Sequence, residues 1–199
     1  MFAAVVLAAG GSSRMGRPKA LLSYRGKTFL AGILDAVRAA AVDRLLVAVA
    51  PDDRKIIEAI DLTIATPVYN ICASTAGPLG SIRAAVTAII NHPVEAMVVW
   101  PVDQPHVLQT TLEALLNEYR TTHSAITVPT FQGRRGHPVL FGRAVFKELL
   151  AVPAGQGARS VVGADPGRVR EVEVFDPAVL DDIDTPEDYE RLLGRSTRK

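Results

Sequence analysis

This chain of 199 residues has little cysteine, no long apolar run and no large excess of charge of either sign. Its single cysteine, Cys72, excludes an internal disulfide and a cysteine-rich zinc site, and it favours a reducing compartment. We interpret this thiol as a small buried or half-buried side chain. The apolar run over residues 2–7 is far too short to span a membrane, and no basic residue precedes it as in a signal peptide. We therefore expect a cytoplasmic protein with no membrane partner.

The charges of the chain almost cancel, with 22 Lys and Arg against 21 Asp and Glu and a formal net charge of +1. Nucleic-acid binding relies on a basic face, so no nucleic-acid partner is expected and any phosphate binding must be local. Hydrophobic residues make up 48% of the chain and charged residues 22%, which indicates a globular protein. The length predicts a single domain over residues 1–194, followed by a basic, frayed tail over 195–199.

Apolar, strand-like runs alternate with helical patterns along the chain, and no internal repeat interrupts them. This alternation implies right-handed βαβ units, hence an α/β fold whose mostly parallel sheet has helices on both faces and a mixed edge. Strands are predicted over 2–7, 44–50, 62–66, 96–100, 124–129, 139–141 and 169–174. Helices are predicted over 30–40, 53–60, 80–90, 107–119, 143–149, 157–164 and 186–193.

The loop after the first strand is the most informative segment, with the sequence Leu-Ala-Ala-Gly-Gly-Ser-Ser-Arg-Met-Gly-Arg-Pro-Lys over residues 7–19. Glycines let the backbone approach a ligand, and Arg14 and Lys19 supply charge that suits phosphate oxygens. Gly11 and Gly16 have P-loop spacing, but Arg-Pro follows where Lys and a hydroxyl residue should stand. The dinucleotide fingerprint Gly-x-Gly-x-x-Gly is not matched either. The alternative is an ordinary glycine-rich turn, and the two cations favour a polyphosphate site instead.

Two acidic residues are candidate metal ligands. Asp103 follows the strand predicted over 96–100, so it should lie at the same sheet edge as the glycine-rich loop. Mg²⁺ is usually held by one or two carboxylates and by substrate phosphates, although a turn or helix-capping role is the alternative for this aspartate. Residues 185–188, Thr-Pro-Glu-Asp, have the pattern of a helix start. That pattern does not account for Asp184, which we predict to be a second metal carboxylate.

These segments together resemble the nucleotidyltransferases that act on molybdopterin-type cofactors. Residues 7–19 match the family signature Leu-Ala-(Ala/Gly)-Gly-x-Ser-x-Arg-Met-Gly-x-x-Lys without a gap. Residues 103–105 resemble the metal loop of the family, residues 136–139 its Gly-His-Pro segment, and residues 182–188 its C-terminal motif. The resemblance implies a Rossmann-like fold of the nucleotide-diphospho-sugar transferase, or glycosyltransferase-A-like, type.

Within this family the chain is most similar to the cytidylyl branch. Ala9 stands where guanylyl relatives usually have glycine, and its methyl group would narrow the space for a base. Residues 133–138 also resemble the cytidylyl branch, whereas residues 77–82 combine features of both branches. The resemblance implies Mg²⁺-dependent transfer of CMP from CTP to the terminal phosphate of a molybdopterin-type cofactor, with release of pyrophosphate. CTP (or GTP) and that cofactor are the implied partners, with a molybdoenzyme or its maturation chaperone downstream.

The resemblance also implies a role for each candidate site residue. Arg14, Lys19 and Asp103 form the catalytic set, in which Arg14 holds the β- and γ-phosphates and Lys19 contacts the α-phosphate. Asp103 and Asp184 hold Mg²⁺, while Arg135 and His137 lie on the acceptor side. The implied nucleotide-binding residues are Leu7, Ala8, Ala9, Gly10, Gly11, Ser12, Ser13, Arg14, Lys19, Gly80 and Ser81.

Two alternatives stay open on the sequence alone. The hybrid segment 77–82 also suits a guanylyltransferase, or an enzyme that loads a sugar phosphate or another phosphorylated acceptor. A protein of another class, a non-catalytic accessory that binds nucleotide and cofactor, would need the same binding loop. The combination of Arg14, Lys19, Asp103 and Asp184 argues for turnover.

Overall fold

A computed structural model describes residues 1–10, 14–153 and 155–196, which contain ten strands and seven α-helices. The strands are β1 (Phe2–Leu7), β2 (Ser23–Tyr24), β3 (Lys27–Thr28), β4 (Arg44–Val49), β5 (Thr66–Tyr69), β6 (Ala96–Pro101), β7 (Ile126–Phe131), β8 (Arg134–Arg135), β9 (Val139–Gly142) and β10 (Val169–Glu173). The helices are α1 (Phe29–Ala39), α2 (Arg54–Glu58), α3 (Ala73–Ile89), α4 (Gln109–Thr122), α5 (Phe146–Ala151), α6 (Arg159–Gly163) and α7 (Pro186–Ser196). Short 3₁₀ helices occur at Lys19–Leu21, Arg143–Val145, Pro166–Arg168 and Pro177–Leu180.

The main sheet has the strand order β10-β7-β9-β6-β1-β4-β5, with β8 paired to β7. Strands β4, β1 and β6 are parallel neighbours, and so are β4 and β5 and also β7 and β10. Strand β9 runs antiparallel to both β6 and β7. The carboxyl ends of β1, β4, β5, β6, β7 and β10 therefore meet at one edge of the sheet, which is where ligands bind in open α/β folds.

Side chains of the central strands alternate between two apolar cores, one on each face of the sheet. In β1, Phe2, Ala4 and Val6 pack on the face covered by α1, α4 and α7, whereas Ala3 and Val5 pack on the face covered by α3, α5 and α6. This two-residue period is what an extended chain requires when both faces are buried. The predicted α/β class, with a mostly parallel sheet between two helical layers, is confirmed.

Several predicted features are wrong in detail. Residues 62–65 do not form a strand, because the Asp61 carboxylate accepts hydrogen bonds from the Thr63 N–H and hydroxyl and holds a turn there. The strand begins only at Thr66. The antiparallel strand β9 lies inside the sheet, between β6 and β7, and not at the edge where a mixed arrangement was predicted.

The predictions for Cys72 and for the C-terminal tail also differ from the structure. Cys72 is exposed and unoxidised, and not buried as predicted, because it lies in the turn that leads into α3. The final helix continues to Ser196, so the first part of the predicted tail is helical, and residues 197–199 lie outside the described residues. Among the helices that the structure describes, none has an apolar stretch long enough to cross a bilayer.

Candidate active site

The loop after β1 begins at the same level as the loops after β4 and β6. The Ala8 N–H donates to the Ala48 carbonyl oxygen at 2.8 Å, and the Val102 N–H donates to the Leu7 carbonyl oxygen at 3.2 Å. Gly16 has a φ of +64°, a backbone conformation that favours glycine. Of the predicted phosphate-binding loop, residues 11–13 (Gly11, Ser12 and Ser13) lie outside the described part of the chain.

Lys19 stands between the two predicted metal carboxylates. Its Nζ lies 3.2 Å from Asp103 Oδ2 and 2.5 Å from Asp184 Oδ1, and its side chain is only 13% exposed. The Arg14 guanidinium reaches the other oxygen of Asp184, with Nη2 3.0 Å from Oδ2. Four residues singled out from three distant segments of the sequence thus form one cluster at the carboxyl edge of the sheet.

Backbone contacts bring the two carboxylates together. Asp103 follows β6 directly, and its carbonyl oxygen accepts a hydrogen bond from the Ile183 N–H at 2.9 Å. Asp184 stands just before α7, whose first turn has the predicted reciprocal cap. The Asp188 N–H donates to Thr185 Oγ1 at 3.2 Å, and the Thr185 N–H donates to Asp188 Oδ2 at 2.9 Å. The cap holds the start of α7, and so it also holds Asp184 against the sheet edge.

The two carboxylates differ in their electrostatic surroundings. Burial raises the pKa of Asp103, although the Lys19 ammonium opposes the shift. The hydrogen bond from Lys19 lowers the pKa of Asp184, and Arg14 acts in the same direction. Desolvation by itself would raise the pKa of Asp188, but hydrogen bonds from the Asp184 N–H and from Thr185 outweigh it and lower the value to about 2. The lowered pKa of Asp184 keeps that carboxylate ionised at neutral pH.

This donor set fits a divalent cation. Two carboxylates from separate segments already converge on one positive charge, that of Lys19. Within the ranges that the structure describes, no cluster of three or more His, Cys, Asp or Glu residues is placed to hold a metal ion. A hard cation at this point would thus take two protein carboxylates and complete its shell with phosphate oxygens and water, as Mg²⁺ commonly does.

The Val179 carbonyl group joins two of the predicted motifs. Its oxygen accepts hydrogen bonds from the His137 N–H at 3.0 Å and from Gln104 Nε2 at 3.2 Å. Gly136 packs so closely that a β-carbon there would lie 2.2 Å from the same oxygen. The Gly-His-Pro segment therefore needs its glycine for close packing beside the metal loop.

The two predicted acceptor-side residues have different surroundings. His137 is half-buried at the start of β9, close to the carboxylate cluster. Burial lowers its pKa, while Asp182 and Asp103 oppose that shift. Arg135 lies on the exposed strand β8, and its Nε donates to Glu171 Oε1 at 2.7 Å. The structure thus brings His137 to the site, whereas Arg135 is engaged at the sheet surface.

A cleft of about 810 Å³ opens beside the glycine-rich loop. It lies at the carboxyl ends of β1, β4 and β5, and its lining includes Ala9, Gly10, residues 50–55, Asn70 and Ile71. At this edge a cleft next to the phosphate loop has the position and the size of a ligand site.

Gly80 and Ser81 stand behind this cleft and support Asn70. Asn70 Nδ2 donates to Ser81 Oγ at 3.0 Å and to the Gly77 carbonyl oxygen at 3.0 Å. A β-carbon on Gly80 would lie 2.4 Å from Asn70 Oδ1. Asn70 is a candidate site residue that sequence reasoning missed, because the strand that precedes it was predicted too early in the chain.

The fold and the cluster define a class: an α/β nucleotide-binding protein with cations and paired carboxylates at the carboxyl edge of its sheet. The family model described as the MobA-like NTP transferase domain matches residues 4–170. The chain belongs to this nucleotidyltransferase family.

Similarity to individual proteins extends over nearly the whole chain. The chain is 29% identical over 197 residues to "Nicotine blue oxidoreductase" of Paenarthrobacter nicotinovorans, with 95% of each chain covered. It is 31% identical over 134 residues to a "Probable molybdenum cofactor guanylyltransferase" of Bacillus cereus, covering 67% of this chain and 64% of that one.

A solved structure shares the fold closely. The crystal structure of Rv0371c from Mycobacterium tuberculosis has a TM-score of 0.83 and 33% identity, covering 98% of both chains. A second structure of that protein is described as a complex with manganese and has a TM-score of 0.79. The predicted nucleotide-diphospho-sugar transferase fold is thereby confirmed.

Proposed function

We propose that this protein transfers CMP from CTP to the terminal phosphate of a molybdopterin-type cofactor and releases pyrophosphate. The observation that carries the proposal is the contact of Lys19 with both Asp103 and Asp184 beside a nucleotide-sized cleft. Membership of the MobA-like family supports nucleotidyl transfer as the reaction class.

An oxygen of the acceptor phosphate attacks the α-phosphorus of the nucleotide, and the bond between that phosphorus and the oxygen bridging to the β-phosphate breaks. The acceptor is already anionic, so no general base is needed. Catalysis then depends on placement and on the stabilisation of developing charge. Lys19 is placed to contact the α-phosphate, and Arg14 is exposed enough to turn toward the departing pyrophosphate.

Asp103 and Asp184 would hold Mg²⁺, and the ion would screen the charge of the triphosphate and of the leaving pyrophosphate. The carboxylates themselves bind and orient. Asp103 is fixed by the end of β6, and Asp184 by the capped start of α7. The complex of Rv0371c with manganese supports a divalent cation as the metal for this site.

The cleft beside Ala9 is the proposed base and ribose site. We assign pyrimidine preference to the Ala9 methyl group, since a larger residue at this point narrows the space for a base. Relatives named as guanylyltransferases favour GTP as the second candidate. The Ala9→Gly variant separates the two: it should relax the preference for CTP, and unchanged CTP/GTP discrimination would remove this account of base choice.

The acceptor side is proposed at the start of β9, where His137 stands near Asp103 and Asp182. A half-buried imidazole whose pKa is lowered is neutral at pH 7, so it can donate one hydrogen bond to a phosphate oxygen. Arg135 would reach an acceptor only by leaving Glu171.

The direct test is a pyrophosphate-release screen that crosses CTP, GTP, ATP and UTP with purified molybdopterin-type cofactor, with and without Mg²⁺. The proposal expects release with CTP and cofactor together, and loss of release without the divalent cation. The Lys19→Met variant should lose most of this release. Lys27→Met is its matched control, since Lys27 pairs with Asp35 at an exposed site that is separate from the cluster. Absence of release with every combination would favour a non-catalytic accessory protein instead.

A further arm follows from the relative named "Nicotine blue oxidoreductase", which is similar along nearly the whole chain. Reduction of nicotine blue by an added electron donor can be followed in the same preparation by absorbance. Dye reduction without nucleotidyl transfer would replace the proposed function by an oxidoreductase activity.

A further inference from the structure

Gln104 is a buried residue that touches two segments of the site. It is 1% exposed, and its backbone carbonyl oxygen accepts a hydrogen bond from Trp100 Nε1 at 3.1 Å. Its side-chain Nε2 donates to Asp182 Oδ1 at 2.6 Å and to the Val179 carbonyl oxygen at 3.2 Å. Gln104 therefore ties the metal loop after β6 to the segment that leads into α7.

This contact lies next to both predicted metal ligands. Gln104 follows Asp103 in the chain, and Asp182 precedes Asp184 by two residues. The two segments are also joined by a backbone bond, in which the Ile183 N–H donates to the Asp103 carbonyl oxygen at 2.9 Å. One backbone bond and one side-chain bond thus set how the Asp184 segment lies against the Asp103 loop.

The amide group at position 104 is chemically specific. Both of its partners are acceptors, so only a donor with two N–H groups satisfies them together. Its own Oε1 is buried without a hydrogen-bond partner in the described part of the protein. An unpaired buried acceptor carries a cost in stability, so stability alone does not explain a glutamine here.

We propose that Gln104 is a positioning residue, which sets the separation of Asp103 and Asp184 through its bond to Asp182. Asp182 is then an anchor for its segment and not a metal ligand. The inference rests on the proposed metal role of Asp103 and Asp184, and it concerns how those two carboxylates are held.

The test measures the affinity for Mn²⁺ without nucleotide by electron paramagnetic resonance, with circular dichroism as the check on folding. Gln104→Glu places a carboxylate against Asp182 and should weaken Mn²⁺ binding about tenfold, as expected for loss of a hydrogen bond to a charged group. The added negative charge alone would attract the cation more strongly, so weaker binding identifies lost geometry. Gln156→Glu, in an exposed loop, is the matched charge control.

A rescue variant makes the test specific. In the double variant Gln104→Glu/Asp182→Asn, the asparagine can donate to the new glutamate, so the bond between positions 104 and 182 is restored with its direction reversed, whereas the bond to the Val179 carbonyl oxygen is not. Mn²⁺ affinity should return to within about threefold of the wild-type value, a difference of less than about 1 kcal/mol. Unchanged binding by Gln104→Glu, or a folded double variant without recovery, would overturn the proposal.

A second comparison does not depend on Gln104 variants. Asp182→Asn keeps the oxygen that accepts from Gln104 but loses the charge, whereas Asp182→Ala loses both. Asp182→Ala should therefore bind Mn²⁺ several-fold more weakly than Asp182→Asn, and equal affinities would contradict a positioning role. Failure of the wild-type protein to bind Mn²⁺ at all, with or without CTP, would instead refute the proposed metal site.

Discussion

Replacing Lys19 by methionine should have opposite effects on metal binding and on turnover. The Lys19 ammonium already contacts both carboxylates that a metal ion needs and offsets one of their two negative charges. A divalent cation must therefore displace Lys19 before it can bind between Asp103 and Asp184. Methionine keeps most of the apolar stem of lysine and removes only the competing charge.

The expected size of this effect comes from the two contacts. A hydrogen bond to a charged group is worth about 1.5–3 kcal/mol when it is shielded from water. Lys19 is well shielded, but the two carboxylate side chains are 26% and 33% exposed, so solvent reduces the gain. Without these contacts to break, the free energy of metal binding becomes more favourable by about 1–2 kcal/mol. Mn²⁺ should therefore bind roughly 5- to 30-fold tighter to the Lys19→Met variant.

Turnover should change in the other direction. A cation that contacts the α-phosphate in the transition state is worth about two to three orders of magnitude in rate. The assays are Mn²⁺ titration by electron paramagnetic resonance without nucleotide, and pyrophosphate release with CTP and cofactor. Lys27→Met should leave both unchanged. Mn²⁺ affinity in Lys19→Met equal to or weaker than wild type would refute the competition, and near-normal turnover would refute the catalytic assignment.

Three further outcomes are expected. Gly136→Ala should lower the free energy of unfolding by about 1–3 kcal/mol in urea titrations, because its β-carbon would overlap the Val179 carbonyl oxygen, whereas the unobstructed Gly32→Ala in α1 should be neutral or stabilising. Asp188→Ala should cost about 1 kcal/mol at neutral pH. Since the pKa of Asp188 is lowered from 3.8 to about 2, its contribution is present above the ordinary value and is lost as the pH falls through the lowered one, so the two unfolding curves should converge in acid. Nucleotide should slow the reaction of thiol reagents with Cys72, which is exposed beside the cleft, and an unchanged rate would place the nucleotide elsewhere.

The parts of the fold that could be predicted are those with strong local signals. Strand β1 is a continuous apolar run, and its predicted bounds are those observed. The reciprocal cap of α7 could be predicted because Thr185 and Asp188 have the spacing that one turn of helix requires. Asp103 could be assigned to the sheet edge because it follows a buried strand.

Other features depend on contacts between distant segments. The residues around Leu62 have an apolar pattern, yet Asp61 forms a local turn and leaves Leu62 exposed, so the pattern predicts the strand too early and misses Asn70. The predicted roles of Lys19 and of the carboxylates were independent of one another. That the ammonium pairs with both carboxylates in the ligand-free protein follows only from the folded chain.

The antiparallel strand β9 separates the proposed acceptor side of the sheet edge from the proposed nucleotide cleft. Because it runs against its neighbours, its first residues and not its last ones lie at the carboxyl edge, so one short turn returns the chain to the site without a crossover helix. The proposed nucleotide cleft is built on β1, β4 and β5, while the proposed acceptor side is built on the turn before β9. If the proposed acceptor side is correct, exchange of residues 132–138 with those of a relative is a test of it. Such an exchange would change which phosphate is accepted and leave the nucleotide side intact.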